Sequence, residues 1–181
     1  MKRRNLFLAC LLLFVLPLSA ARVDTLMVKS PSMNKEVQVL VVTPDVALGK
    51  NAAACPVLYL LHGYGGHAKT WIQIKPNLPE IADEKGIIFV CPDGKDSWYW
   101  DSPINSNSQF ETFVSDELIK YIDKNYPSIP NHKGRAITGL SMGGHGAMWL
   151  AIRHQDIFGA AGSMSGGLDI RPFPDNWDMK R

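Results

Sequence analysis

Two uninterrupted apolar runs, "PVLYLLHG" at 56–63 and "GIIFVCPDG" at 86–94, narrow the choice of fold more than anything else in this chain. A strand with one wet face alternates apolar and polar residues. A run that stays apolar at successive positions has to be covered on both faces, which is the situation of strands in a parallel sheet. Both runs stop at turn residues, and parallel neighbours need a crossover between them. Residues 70–85 can supply it as a helix, with Pro76 and Pro79 confining the regular part to the later residues.

The flanking segments extend the pattern. "VDTLMVKS" (23–30) and "EVQVLVVTP" (36–44) alternate enough to form an antiparallel pair at a sheet edge, joined through the turn region 31–34. "SQFETFVSDELIKYIDKNYP" (108–127) places Phe110, Phe113, Val114, Leu118, Tyr121 and Ile122 on one helical face, and Pro127 ends it. Ser108 followed by Glu111 fits a capping box, although Glu111 also reads as a residue near a site. A short strand (135–138), a tight turn, a helix to about His154 and a strand at "GAAGSMSG" follow. Strand, crossover helix and strand in repetition mean an α/β fold, a mostly parallel sheet with helices on both faces.

The first 21 residues stand apart. Lys2, Arg3 and Arg4 precede an apolar run from Leu6 to Leu18, and Ser19, Ala20 and Ala21 form a small-residue cleavage site. That is the layout of a secretory signal peptide, and thirteen apolar residues fall short of the roughly 20 that a membrane span needs. The expectation is export to the periplasm or the outside, without stable membrane insertion after cleavage, and a domain over 22–181. Residues 1–21 hold three positive charges and no acid, so the remainder carries a formal net charge of −1 against +2 for the whole chain. No Lys/Arg cluster is left to neutralise phosphates, which excludes nucleic acid as an expected partner. Cys55 and Cys91 lie at opposite ends of the two central runs. On parallel neighbouring strands they would be offset by about 15 Å, too far for a disulfide, so both are expected as buried free thiols.

The chemistry concentrates in "TGLSMGGHGAMWLA", 138–151. Gly139-Leu140-Ser141-Met142-Gly143 sits between a strand and a helix, where a serine on a sharp turn exposes its hydroxyl. Gly139 and Gly143 remove side chains that would collide as the chain reverses. The helix start adds N–H donors and the positive end of its dipole. Upstream, "LLHGYGGH" follows a buried strand and offers a second amide, so Tyr64 and Met142 are the candidate N–H pair for a carbonyl oxygen. The plainer reading of that loop is a flexible glycine turn with His62 in a local hydrogen bond.

With both loops in this order, the sequence resembles the esterase D-like branch of the α/β-hydrolases. That branch includes feruloyl and acetylxylan esterases, S-formylglutathione hydrolases and mycolyltransferases. The matching stretches are "LYLLHGYGG", "SWYWDSP", "FETFVSDELIKYIDKNYP" and "ITGLSMGGHGAMWLA", with "SGGLDIRPFP" a weaker fifth. The resemblance implies Ser141 as nucleophile and the amides of Tyr64 and Met142 as the oxyanion hole, with neither metal nor organic cofactor.

A serine needs a histidine to take its proton and an acid to hold that histidine, and in the resembled fold they follow it in the order acid, then histidine. After Ser141 come only His145 and His154, and no acid precedes either in that interval. His145, on the nucleophile's own helix, reads mainly as a packing residue. His62 and His67 are candidate helpers near the mouth, and His132 and His154 read as surface residues. Members of the resembled branch continue into two further strands and the loops carrying acid and histidine, whereas "PFPDNWDMKR" ends this sequence shortly after its sixth strand. The expectation is therefore an α/β-hydrolase domain lacking the final strands.

"DSWYWDSP" at 96–103 sets three aromatics in four positions. Trp98, Tyr99 and Trp100 suit stacking on a sugar or aromatic acyl group, with Asp101 orienting a hydroxyl; alternatively they only cover the sheet end. The expected substrate is a small acyl ester or acylated saccharide. The expected reaction is hydrolysis through an acyl-serine, with transfer to a sugar hydroxyl as one alternative and an inactive carbohydrate-binding remnant as another.

Overall fold

The computed structural model describes residues 21–173 and 175–177. The expected signal peptide, apart from Ala21, lies outside the described residues. Six strands, β1 (Arg22–Ser30), β2 (Lys35–Thr43), β3 (Val57–Leu61), β4 (Ile88–Pro92), β5 (Arg135–Leu140) and β6 (Ala160–Met164), form one sheet in the order β1-β2-β4-β3-β5-β6. β1 and β2 are the antiparallel edge pair, and β2 is antiparallel to β4. β4, β3, β5 and β6 run parallel.

The apolar runs are buried as their composition requires. β4 is buried along its whole length, and β3 nearly so. Along β3 the side chains divide by parity. Val57, Tyr59 and Leu61 pack with Phe113, Leu118, Ile122 and Leu150 on one face. Leu58 and Leu60 join Leu78, Ala82 and Cys91 on the other. Helices α1 (Thr70–Ile74) and α2 (Leu78–Lys85) belong to the second face. The expected 70–85 helix is thus two pieces, broken around Pro76, with Pro79 tolerated in the first turn of α2. α3 (Phe110–Thr112), α4 (Leu118–Asn125) and α5 (Met142–Arg153) cover the first face. Cys55 and Cys91 are buried and free.

The 108–127 helix departs from expectation in two ways. Between α3 and α4 it widens into a π-helical turn at Phe113–Glu117, where the Ser115 hydroxyl donates to the Glu111 carbonyl at 2.7 Å. Its start is also not a Ser108/Glu111 capping box. Gln109 is the residue before the helix and makes no side-chain cap. Instead the carboxylate of Asp101 accepts from the Thr112 amide at 3.0 Å and its hydroxyl at 2.6 Å.

Candidate active site

The site is built where β5 turns into α5. Ser141 holds φ 55° and ψ −116°, outside the regions an L-residue readily adopts. Two close approaches make this turn possible. A Cβ on Gly139 would lie 2.3 Å from the backbone of Gly143, and one on Gly143 would lie 2.3 Å from the Leu61 carbonyl oxygen. Any side chain at either position would push α5 off the ends of β3 and β5. The Ser141 amide donates to the Met164 carbonyl at 2.8 Å, which ties the turn to β6. The serine is exposed, and its hydroxyl makes no capping bond to α5. It stands at the helix N-terminus, where the first amides have no acceptor within the helix. Met142, first residue of α5, is fully buried by its side chain.

The facing loop is held from behind. The buried His62 ring uses both nitrogens: Nδ1 donates to the Gly63 carbonyl at 2.7 Å and Nε2 accepts from the Gly94 amide at 2.9 Å. The Gly65 amide donates to Asp96 Oδ1 at 2.7 Å, and the Tyr99 hydroxyl donates to the His62 carbonyl at 3.2 Å. The loop carrying Tyr64 is therefore braced by the loop after β4. Asp96 is a contributor the sequence reading missed, and its closeness to "SWYW" was the available signal. His62 acts as this brace and presents no free nitrogen, so the plainer reading of it holds.

A cavity of about 170 Å³ opens over the serine, lined among others by Tyr64, Trp98, Ser141, Ser165, Ile170 and Phe173. Trp98 also borders a larger groove of about 810 Å³ lined by Lys35, Trp100, Asp101 and Asn107, so it is common to the two spaces. Trp98 and Tyr99 both have positive φ, 58° and 61°, and both are buried. Strain at two successive aromatic residues persists only where the surroundings over-determine it. Of the expected substrate residues, Trp98 meets the Ser141 cavity directly, whereas Tyr99 is fully buried and lines neither space, its ring packed inside where its hydroxyl reaches the His62 carbonyl. Trp100 stacks on Trp98 with centroids 5.9 Å apart and lines only the larger groove. Asp101 is away from the serine cavity, and its carboxylate is engaged by Thr112, which does not support a role at Ser141.

Among the described residues no histidine ring is hydrogen-bonded to the Ser141 hydroxyl; the one histidine bond to this residue is backbone, from the His145 amide to the Ser141 carbonyl at 3.0 Å. His145 is buried: Nε2 accepts from Trp100 Nε1 at 3.0 Å and Nδ1 donates to the Gly167 carbonyl at 2.7 Å. Burial pushes its pKa below the ordinary value, against the Gly167 hydrogen bond, which works to raise it. His154 is not a bare surface residue. It meets Glu111 Oε1 at 2.9 Å, and Glu111 also accepts from Trp149 Nε1 at 2.8 Å and Arg153 Nε at 2.7 Å. Burial opposes the charge on Glu111, yet Arg153, Trp149 and His154 together hold its carboxyl below the usual range. This cluster lies at the far end of α5, about 18 Å from the serine along a 12-residue helix. His67 and His132 are exposed, and the His67 Nδ1 accepts from the Lys69 amide. Among the described residues no group of three or more His, Cys, Asp and Glu could hold a metal ion.

The site thus brings together a strained, exposed serine, the N-terminal amides of α5 and a braced second loop. The esterase family model ("Putative esterase") matches residues 30–180. A diacylglycerol acyltransferase/mycolyltransferase, Ag85A of Mycobacterium leprae, is 36% identical over 157 residues, covering 81% of this chain and 44% of its own length. An endo-1,4-beta-xylanase/feruloyl esterase of Xylanibacter ruminicola is 36% identical over 120 residues, 62% of this chain and 16% of that protein. The solved structure of a ferulic acid esterase superposes with a TM-score of 0.75 at 31% identity, over 88% of this chain and 65% of the other. The chain thus spans less than half the length of the curated relatives it matches here. The fold shared with these esterases is the α/β-hydrolase fold expected from the sequence.

Proposed function

Because this chain belongs to the esterase family, matched over residues 30–180, we propose that it hydrolyses carboxylic esters through an acyl-serine at Ser141. The observation that carries this reading is the backbone of Ser141, an exposed serine at φ 55° on the N-terminus of α5 with no capping bond of its own. Strain of this kind has a cost, and a nucleophile is a reason to keep it. In the proposed reaction Ser141 Oγ attacks the carbonyl carbon, and the developing oxyanion is met by the amides of Met142 and Tyr64. The alcohol then leaves with a proton and water releases the acid. A histidine base and its acid partner are also required, and the described residues do not present them to Ser141. We propose the small cavity for the acyl group and the groove beyond Trp98, with Trp100 on its wall, for the alcohol. A tryptophan common to the two suits an acylated saccharide.

The 1–21 segment supports export as a signal peptide, to the periplasm or beyond. No helix among the described residues is long and apolar enough to cross a membrane. Transfer of the acyl group to a sugar hydroxyl is a second reading, favoured by the similarity to Ag85A. It differs only in which oxygen attacks the acyl-serine. The test is initial-rate hydrolysis of p-nitrophenyl acetate and methyl ferulate by this chain and by Ser141→Ala, with and without a saccharide acceptor. With no histidine base presented to Ser141 among the described residues, the expected result is very slow hydrolysis that Ser141→Ala abolishes. Equal rates for the two proteins would remove Ser141 from the reaction.

A further inference from the structure

His145 is a buried polar side chain outside the reacting groups, and its contacts reach the Ser141 cavity, the neighbouring groove and the later part of α5. Its ring lies edge-on to Trp98 and to Trp100, with centroids 5.2 Å away in both cases, and parallel to Trp149 at 6.3 Å. Nε2 takes the Trp100 indole proton, and Nδ1 gives its proton to Gly167. Trp98 and Gly167 both line the cavity over the serine, and His145 sits one helical turn after Ser141 on α5. One imidazole thus joins the nucleophile's helix, the Trp98 and Trp100 rings and the loop that follows β6.

This junction works in only one protonation state. With Nδ1 donating, Nε2 has to accept, because an indole N–H has no acceptor to offer. A second proton on Nε2 would face the Trp100 proton across a 3.0 Å gap, donor against donor. We propose that His145 is a positioning residue that ties Trp98 and the Gly167 loop at the Ser141 cavity to Trp100 on the wall of the neighbouring groove while its ring is uncharged, and releases Trp100 when acid protonates Nε2. The consequence for catalysis rests on the esterase reading; the structural event does not.

The charged groups on the surrounding elements do not replace that control. On α5, Arg153 lies over Trp149. From α3, Glu111 is bound to Trp149, Arg153 and His154. Asp101 beside Trp100 is engaged by Thr112, and Asp169 in the loop after β6 by Arg171. None of these carboxylates meets a nitrogen of His145, so burial sets the direction of its titration, below the ordinary 6.5.

The test is tryptophan fluorescence and near-ultraviolet circular dichroism of the full chain, titrated from neutral to acid pH, for the wild type and His145→Phe. Phenylalanine fills the aromatic site but cannot titrate. The expected result is a step with its midpoint below 6.5 that the variant loses. A step that survives in His145→Phe, or a midpoint at or above 6.5, would overturn the proposal. Imidazole nitrogen NMR of the wild type keeps the question decidable if the variant folds poorly. A neutral-pH signal for His145 with the proton on Nδ1 is expected, and a proton on Nε2 overturns the proposal. Binding of methyl ferulate to Ser141→Ala at neutral and acid pH separates this inference from the proposed function. Absence of binding at both pH values counts against the ester reading, whereas binding that stays equally tight through the His145 step counts against the coupling.

Discussion

Replacing Glu111 tests whether the far end of α5 is held as the structure indicates. Its side chain is only 10% exposed and receives Trp149, Arg153 and His154 together. Removing one partner of a buried ion pair costs about 3–5 kcal/mol. The side chain of Arg153 is 53% exposed and recovers water once released, so the lower end, about 3 kcal/mol, is appropriate. For a domain of this size each kcal/mol moves the unfolding midpoint by about 2–4 °C. Glu111→Ala should therefore lower it by about 6–12 °C in thermal unfolding followed by far-ultraviolet circular dichroism. Glu111→Gln, which keeps one carbonyl acceptor, should lose less. The pH dependence follows from the depressed carboxyl. Its stabilisation is present above the ordinary value of 4.5 and is lost as pH falls through the lower folded value. The difference between wild type and Glu111→Gln should thus narrow below pH 4.5. A midpoint for Glu111→Ala within about 1 °C of wild type, on the scale above, would refute the reasoning, as would a difference that does not change with acid.

Gly143→Ala puts a Cβ 2.3 Å from the Leu61 carbonyl oxygen and 2.6 Å from that of His62, both backbone atoms that cannot swing aside. It should destabilise by at least about 2 kcal/mol, read in urea unfolding, and any ester hydrolysis should fall with it. Native-state alkylation, read by mass spectrometry on the peptides carrying Cys55 and Cys91, should leave both unmodified until denaturant is added, since burial raises both thiols above their ordinary value. Rapid labelling of Cys91 in the native protein would contradict the packing of β4.

The sheet was legible because apolar runs bounded by glycine and proline admit few arrangements. β3 and β4 lie where "PVLYLLHG" and "GIIFVCPDG" place them, and β1 and β2 form the expected edge pair. Residues whose role depends on distant partners were harder to read. Glu111 fits a capping box by spacing, but its partners are 38 to 43 residues away on α5, and a tertiary ion pair outweighs a local cap. Asp101, read as a substrate group, takes over the cap that Glu111 leaves. The π-helical turn at Phe113–Glu117 is invisible to a 3.6-residue pattern because the apolar face continues through it. A signal for the α5 cluster did exist. His145, Trp149 and Arg153 recur at intervals of four, one stripe along the helix, and that stripe faces the aromatic loop and Glu111.

A crystal structure of the chain with an aryl phosphonate bound covalently to Ser141 would test the central claim most directly. The account predicts phosphorus bonded to Ser141 Oγ and one phosphonyl oxygen within about 2.7–3.1 Å of the amide nitrogens of both Met142 and Tyr64. An adduct on another residue, or a phosphonyl oxygen turned to solvent with neither amide in reach, would contradict it.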